Sequence, residues 1–325
     1  SPSSGGRRPK PGILWVMDVW LNGQFISADD ASLSIFDAGL QHGIGLFETM
    51  AAANGRVFRA EAHVKRLIDS ARQLRLSERL QVEPLVEAVQ LAVTHNKVDR
   101  ARIRLTVTGG NLNMLQSTGA SPHDPTILVV VQPPTDYPDT FFEKGVAVTI
   151  ANGRMSPWTV GAGHKTLDYW SRIHALQEAA AVRAGEALWL MPDANIACGS
   201  VSNVFIVKDD ALLTPPARTE THNGEPSPVL PGITRSAVLE LAAGRRIERR
   251  PISVDELLAA DEMFMTNSSW QILPVTSLLL RARTGEGDDS EVGLQMHTIG
   301  EGGVGSTTSD LRTALLALIE QETSS

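Results

Sequence analysis

The sequence predicts an α+β fold in two domains. Runs of β-branched and aliphatic residues typical of strands occur in both halves of the chain, for example at 101–108 and 203–208. A pattern of apolar residues at helical spacing covers 60–76. A proline-rich stretch at 133–139 separates the halves and is the candidate linker. Because each half contains strands and helices, we expect two mixed domains.

The N-terminal half begins with strands joined by tight turns. Asn22-Gly23 and Asn54-Gly55 each follow strand-like residues, and Asn-Gly favours a hairpin because both residues tolerate positive φ. The other elements predicted in this half are helices over 60–76 and 83–96 and strands over 101–108 and 126–132.

The C-terminal half alternates strands and helices with long irregular stretches. Repeated prolines predict a loop over 215–231. Glycine, serine, threonine and acidic residues dominate 284–309, and this composition predicts a mobile loop. The regular elements predicted here are strands over 145–151, 187–192, 203–208 and 262–266 and helices over 166–184, 232–244 and 310–322.

These signals give the expected domain boundaries. The first residue is Ser, and Met17 precedes the first strand-like run, so we expect a disordered leader before it. The predicted divisions are the leader at 1–16, an N-terminal α/β domain at 17–134, a C-terminal domain at 140–283, the mobile loop at 284–309, and a helix and tail at 310–325 that belong to the C-terminal domain.

Composition and charge exclude several classes of protein. The chain has 325 residues, of which 42% are hydrophobic and 20% charged, as is typical of a globular protein. Its formal net charge of -8 argues against a general nucleic-acid binder. No apolar run approaches the roughly 18 residues of a membrane span, and no secretory signal is visible. Cys198 is the only cysteine, which excludes an intrachain disulfide and makes a reducing cytoplasm the expected compartment.

Lys165 lies in the segment AGAGHKTLDYW, between a glycine-rich stretch and a predicted helix. A lysine at such a position is most often a solvated residue at the start of a helix. The chemical alternative is a reactive amine with Tyr169 beside it, because residues four apart lie on one helical face and a phenol can steady a charged ligand oxygen. This segment alone leaves both interpretations open.

Three further segments carry groups suited to an anion. Arg66, on a predicted helix, is either an exposed arginine or a bidentate donor to phosphate oxygens. The segment LPGITR at 230–235 opens a helix, whose free N–H groups and the Thr234 hydroxyl make either an anion site or an ordinary cap. Small donors follow a predicted strand at 266–269. Taken singly, none of these segments identifies a site.

The order of the motifs is more specific than any one of them. The motifs are, in chain order, WLNGQF, GLFETM, FRAEAHVKRLIDSARQL, ARIRLTVTGG, HKTLDYW, DANIACGSVSNVFIV, LPGITRSAV and ADEMFMTNSSWQILPV. From about residue 18 to residue 280 the chain thereby resembles the class IV (fold type IV) pyridoxal 5′-phosphate (PLP) enzymes, which include branched-chain and D-amino-acid aminotransferases and aminodeoxychorismate lyases. The resemblance implies a smaller N-terminal α/β domain, a larger C-terminal pseudo-barrel domain that binds PLP, and a homodimer with its pocket at the subunit contact.

The resemblance also implies a role for each matching residue. Lys165 corresponds to the lysine that forms the Schiff base (aldimine) with PLP and then shuttles the proton, and Arg66 to the arginine that binds the cofactor phosphate. Tyr169 corresponds to the tyrosine beside the cofactor's phenolic oxygen, and Asn203 to the strand beneath its ring. No metal ligand is expected. The other matching positions are Ile233, Thr234 and Ser268 around the phosphate, and His42, Arg104 and Ser269 around the substrate, where Arg104 is a candidate partner for a carboxylate.

One cofactor-binding position departs from the family pattern. Relatives place a glutamate just before the Gly-Ser of the strand beneath the ring, where it faces the pyridine nitrogen and keeps it protonated; this chain has Cys198 there. No acidic residue lies within four positions of Cys198 in the sequence. An unperturbed thiol has a pKa of about 8.5 and is mostly neutral at pH 7, so the carbanionic chemistry should be stabilised less. The alternative is that Cys198 is a small buried hydrophobic residue.

Three functions therefore stay open. The first is a PLP-dependent aminotransferase that moves an amino group from an amino acid to a 2-oxo acid through a Schiff base on Lys165. The second is an aminodeoxychorismate lyase that releases 4-aminobenzoate and pyruvate, which the phrases RIRLTVTGG and HKTLDYW favour. The third is a PLP-binding relative with weak or altered catalysis because Cys198 replaces the acid. The expected partners are a small amino acid and a 2-oxo acid, with neither nucleic acid nor membrane.

Overall fold

The computed structural model describes residues 17–111, 124–220, 224–284 and 291–324. Within these ranges the chain forms two β-sheets with helices packed on them. The expected leader at 1–16 lies outside the described residues.

The N-terminal half forms an antiparallel sheet. Its elements are β1 (Asp18–Leu21), β2 (Gln24–Ser27), α1 (Ala38–His42), β3 (Gly45–Ala53), β4 (Arg56–Val57), α2 (Ala60–Gln73), α3 (Val82–His95), β5 (Ala101–Thr108) and β6 (Ile127–Gln132). The strand order is β2-β1-β6-β5-β3-β4, and every neighbouring pair is antiparallel. Both predicted hairpins are present, with Asn22 and Asn54 at positive φ as the turns require.

Strand β5 connects the N-terminal core to the functional site. Successive side chains of a strand point to opposite faces. In β5 the residues Ile103 and Leu105 are fully buried in a core cluster that includes residues of α2 and α3. Arg102 and Arg104 alternate with them and are only partly buried. The period of two therefore places two arginines together on the face of the sheet that does not pack on the helices.

The C-terminal half is built around a larger, mixed sheet. Its elements are α4 (Thr140–Glu143), β7 (Val146–Arg154), α5 (Trp170–Ala181), β8 (Glu186–Leu190), β9 (Ile196–Gly199), β10 (Asn203–Lys208), β11 (Ala211–Thr214), α6 (Ile233–Leu241), β12 (Arg246–Arg249), α7 (Val254–Leu258), β13 (Glu262–Asn267), β14 (Gln271–Thr284), β15 (Glu291–Thr298) and α8 (Ser306–Thr323). The strand order is β12-β11-β10-β13-β14-β7-β8-β9, and β15 pairs with β14. Because β9 also contacts β10, the sheet curls into a partly closed barrel. No helix among the described residues is long and apolar enough to cross a bilayer.

The segment 284–309 differs from the mobile loop that its composition predicts. Strand β15 occupies much of it and pairs with β14 over eight residue pairs, and α8 begins within it. The stretch GEGDDS at 285–290, which contributes most to the loop-like composition, lies outside the described residues. Composition is an average over the whole segment and does not reveal a strand within it. Strand β15 forms because the long strand β14 is available as its pairing partner.

Candidate functional site

A cavity of about 270 Å³ lies between the arginine face of the first sheet and the curled sheet. Five cationic side chains line it, and among the described residues that form its walls there is no aspartate or glutamate: the five are Arg66, Arg102, Arg104, Lys165 and Arg172. The chain as a whole carries a formal net charge of -8. A cationic cavity in an acidic protein focuses a positive potential and favours an anionic ligand.

Three buried polar atoms in the described part of the chain have no hydrogen-bond partner. They are Arg102 Nε, Thr266 Oγ1 and Trp270 Nε1. All three residues line the same cavity. Buried polar groups are normally paired, so their concentration around one cavity indicates a polar ligand as the partner.

Lys165 reaches the cavity from an extended segment that pairs with β3. Phe47 N donates a hydrogen bond to Lys165 O at 3.0 Å, and Leu167 N donates to Gly45 O at 3.0 Å. A Cβ atom at Gly45 would collide with the Leu167 side chain, so glycine permits this close approach. The Lys165 Nζ atom lies 4.3 Å from the centroid of the Phe47 ring.

Tyr169 and Lys165 do not share a helical face, contrary to the sequence-based expectation. Helix α5 begins only at Trp170, because hydrogen bonds to β3 hold residues 165–167 outside a helix. Tyr169 nevertheless lines the cavity, and its ring centroid lies 5.6 Å from Lys165 Nζ. The ring also makes an edge contact with Phe47 at 5.2 Å between centroids.

Arg66 is held by a buried ionic network. Its Nε donates to Glu48 Oε1 at 2.8 Å and its Nη2 to Glu48 Oε2 at 2.6 Å, while Nη1 donates to Pro231 O at 2.8 Å. His63 Nδ1 lies 2.8 Å from Glu48 Oε2. Burial alone would raise the pKa of Glu48, but Arg66 and His63 outweigh that effect and lower it to about 2. Of the five guanidinium N–H groups, one on each Nη therefore stays available to a ligand in the cavity.

The N-terminus of α6 lies against the same cavity. Gly232 caps the helix, and a Cβ atom there would collide with Asn203 Oδ1. The Asn203 amide in turn donates to Leu230 O at 2.9 Å and fixes the chain before the helix. The first N–H groups of a helix have no intrahelical acceptor, and the helix dipole favours an anion there. The expected phosphate residues Arg66, Ile233, Thr234 and Ser268 all line this cavity, as do Asn203 and Ser269.

Arg104 lines the same cavity, whereas His42 does not line the cavity of its own chain. The Arg104 guanidinium stacks on Phe47, with Cζ 3.8 Å from the ring centroid. Arg102, which the sequence reasoning missed, lines the cavity two residues earlier and donates to Gln132 Oε1. His42 is exposed at the end of α1 and is not among the residues that line the cavity of its own chain. The alternation in β5 could have identified Arg102 beside Arg104.

Cys198 does not line the cavity, which corrects its expected contact with the cofactor. The residue is 3% exposed in β9 and belongs to an apolar cluster with residues of α5 and β8. Its Sγ lies 3.5 Å from Met155 Sδ. The guanidinium of Arg172, on α5, lies between Cys198 and the cavity. Its Nη1 is 3.9 Å from Cys198 Sγ, and Arg172 lines the cavity. No motif drew attention to Arg172, because its importance depends on α5 packing beside β9.

A buried acid, Glu186, supports the floor of the cavity from below. Its Oε1 accepts from Ala187 N and Ser200 N, and its Oε2 accepts from Val201 N and Ser202 Oγ at 2.9 Å. Burial raises the pKa of Glu186, although these hydrogen bonds oppose the effect. Ser200, Val201 and Ser202 line the cavity, but Glu186 does not. The motifs did not identify Glu186, because it lies in β8, the strand before the motif that contains Cys198.

Comparisons with known proteins identify the family of the chain. The family described as amino-transferase class IV matches residues 45–278. A branched-chain-amino-acid aminotransferase of Pseudomonas aeruginosa is 29% identical over 266 residues, which are 79% of this chain and 83% of that protein. The structure of a branched-chain amino acid aminotransferase of T.th. with pyridoxamine 5′-phosphate is similar with a TM-score of 0.78 and 26% identity, over 94% of each chain. A 4-amino-4-deoxychorismate lyase of Pseudomonas aeruginosa has a TM-score of 0.73 and 26% identity, over 92% of this chain and 98% of that chain. With the family match covering most of its length, the chain belongs to the class IV aminotransferases.

Proposed function

We propose that the protein is a PLP-dependent aminotransferase that moves an amino group from an amino acid to a 2-oxo acid. The observation that carries the proposal is the cavity itself: Lys165 lies among anion-binding groups, with no carboxylate among the described lining residues. A related structure holds pyridoxamine 5′-phosphate, which supports the choice of cofactor.

The residues around the cavity fit PLP. The free N–H groups of Arg66, the start of α6 at Ile233 and Thr234, and Ser268 suit a phosphate dianion. The hydroxyl of Thr266, buried without a partner, adds a donor on the same wall. PLP, when bound, supplies the electron sink for the reaction, and the protein supplies binding and orientation.

Lys165 has two tasks in this proposal. Its amine would be the nucleophile that holds the cofactor covalently. With substrate bound, the free amine of Lys165 would be the base that takes the proton from the substrate Cα and the acid that returns it. Phe47 and Tyr169 restrict where Nζ can move, since both rings lie close to it. The backbone pairing with β3 fixes the segment from which the side chain extends.

Arg102 and Arg104 would bind the substrate carboxylates. Both an amino acid and a 2-oxo acid carry a carboxylate, and a guanidinium matches its geometry. Burial lowers the pKa of Arg104, but an arginine keeps its charge at any physiological pH. The unpartnered Nε of Arg102 offers a further donor. The same pair would suit aminodeoxychorismate, which carries two carboxylates, so the lyase is the second candidate, supported by the structural similarity to such an enzyme.

The test begins with the cofactor bond. The purified protein should absorb near the visible edge after addition of PLP, and borohydride should fix PLP on Lys165 in a tryptic map. Mixing with a panel of L- and D-amino acids and aminodeoxychorismate then separates the two candidates: keto-acid formation with return of the amino group supports the aminotransferase, and release of 4-aminobenzoate supports the lyase. Reduced PLP on a different lysine would overturn the assignment.

We also propose a homodimer, in the cytoplasm. Four large apolar side chains around α1 are exposed on the single chain: Leu33, Ile35, Phe36 and Leu40. Contiguous exposed apolar residues favour an interface. His42 ends the same segment, so a substrate contact by His42 requires the cavity of the neighbouring subunit. Sedimentation should give twice the chain mass, and Phe36→Asp should shift it to the monomer; a monomeric wild-type protein would refute the dimer.

A further inference from the structure

Arg172 is a charged side chain on the cavity wall that has no acidic partner. None of the ion pairs in the described part of the chain includes it. Its Nη1 donates to two backbone carbonyls instead, Ser200 O at 2.9 Å and Gly199 O at 3.2 Å. Its Cζ lies 5.5 Å from the centroid of the Tyr169 ring. The turn at the floor of the cavity therefore holds the guanidinium in one position.

Two titratable groups lie near Arg172 on the side away from the cavity, the Cys198 thiol and the Glu186 carboxyl. Cys198 lies beside it, and burial raises the pKa of the thiol, although Arg172 opposes the effect. The thiol is therefore neutral at pH 7. Glu186, behind the floor, uses both carboxylate oxygens for hydrogen bonds to the turn and does not line the cavity. Arg172 is therefore the charged group of the floor that lines the cavity, with Glu186 buried behind it.

We propose that the Arg172 guanidinium meets the pyridine nitrogen of the bound cofactor and that this nitrogen is unprotonated in the protein. The inference rests on the proposed PLP function. The lysine would bond to the aldehyde carbon, which is attached to the ring carbon opposite the nitrogen. With the phosphate arm toward α6, the ring nitrogen then belongs to a wall other than those of Lys165 and Arg66. Arg172, at the floor beside Cys198, is the cation of that wall, and no carboxylate of the described lining residues competes with it.

The charge of Arg172 has a definite consequence for the ring nitrogen. A nearby cation disfavours a second cation, and an N–H donor occupies the nitrogen lone pair, so both effects oppose protonation. The ring then withdraws the electron pair at Cα less strongly. We expect slower amino-group transfer than with an acid at this position, and a cavity that tolerates other PLP-dependent outcomes.

The position of Arg172 also determines what a carboxylate at position 198 would do. A carboxylate in place of the Cys198 thiol would lie within ion-pair reach of Arg172, since Sγ is 3.9 Å from Nη1. The new negative charge would pair with Arg172 and leave the ring nitrogen unprotonated. Only the removal of Arg172 together with Cys198→Glu should give the nitrogen an acidic partner.

The decisive experiment measures the protonation of the ring nitrogen directly. The wild-type protein is loaded with PLP that carries ¹⁵N in the ring, and the ¹⁵N chemical shift is recorded between about pH 6 and 8, where protonated and unprotonated pyridine differ widely. We expect the unprotonated shift throughout. A protonated shift in the wild-type protein overturns the inference without touching the proposed function, whereas failure to bind PLP at all refutes the proposed function.

Variants then identify the group responsible. Cys198→Glu alone should keep the unprotonated shift, and Arg172→Leu/Cys198→Glu should change it to the protonated one. The matched control is Arg312→Leu/Cys198→Glu, because Arg312 also donates to two backbone carbonyls, Trp270 O and Ile272 O, but does not line the cavity. The control should behave as Cys198→Glu does. A protonated ring nitrogen in Cys198→Glu alone would contradict the inference, and so would an unprotonated one in Arg172→Leu/Cys198→Glu. In either case the role of Arg172 would be limited to its hydrogen bonds with the carbonyls of the turn. Should the double variant not fold, the wild-type spectrum and Cys198→Glu still decide.

Discussion

Arg66 and Arg172 line one cavity, yet they differ in what lies behind them. Arg66 faces a buried carboxylate, Glu48, with two short hydrogen bonds. Arg172 faces backbone carbonyls and a neutral thiol. The first arginine is therefore paired with an acid and acts mainly as a fixed donor, whereas no carboxylate is hydrogen-bonded to the second in the described part of the chain. The role of an arginine in a site therefore depends on whether an acid supports it.

The largest expected effect comes from removing the acid behind Arg66. Glu48→Gln leaves Arg66 buried without its partner, and breaking a buried ion pair typically costs about 3–5 kcal/mol of unfolding free energy. The control is Glu61→Gln, which breaks the solvent-exposed pair with Lys65 and should change the free energy of unfolding far less. Urea unfolding measures both. Equal costs for the two variants would show that Glu48 does not support Arg66 energetically.

The same pair predicts a pH dependence of stability. The folded-state pKa of Glu48 is lowered from 4.5 to about 2, so the carboxylate stabilises the fold above the unfolded value, and the stabilisation is lost as the pH falls from about 4.5 through 2. The loss should be on the order of 3 kcal/mol, from one pKa unit being about 1.4 kcal/mol. Urea unfolding at several pH values should show a steep acid limb that is flatter in Glu48→Gln. An identical limb in the variant would contradict this.

Arg66→Ala should weaken the retention of PLP. The variant removes charge-assisted hydrogen bonds, each worth roughly 1.5–3 kcal/mol, so dialysis or titration should give a dissociation constant at least about tenfold higher. Arg72→Ala, on the same helix but exposed, is the control and should not change it. Since Arg66→Ala also unpairs Glu48, stability is measured beside affinity. Unchanged retention would make Arg66 a structural partner of Glu48 only.

The smallest effect is expected at Cys198. The thiol is buried and its pKa is raised, so it should react slowly with a thiol reagent in the folded protein and stoichiometrically in urea. Because Cys198 is the only cysteine, the labelling is unambiguous. Rapid labelling of the native protein would place the thiol in the cavity and remove the contrast with Arg172.

The fold was largely predictable from local pattern. Strand β5 has the predicted bounds, 101–108, because alternation and β-branched residues agree there. Helices α2 and α3 lie within a few residues of their predicted ranges. Strands β9, β11 and β12 were not predicted, because each has only four residues and, unlike β1 and β2, none adjoins an Asn-Gly turn. The late start of α5 was missed because pairing with β3 overrides helical propensity in the residues before it.

The sequence by itself determined the set of motifs and their order. That order indicates the family, and with it a common chemistry for Lys165, Arg66 and Thr234. The tertiary structure decided which charges those residues meet. Glu48 reaches Arg66 from a neighbouring strand, and Arg172 reaches Cys198 across 26 positions of sequence. Such pairings depend on how strands and helices pack, and neither local propensity nor periodicity encodes them. The cysteine at position 198 is readable in the sequence, but the guanidinium beside it is apparent only in the folded chain, where Arg172 reaches from α5 to β9.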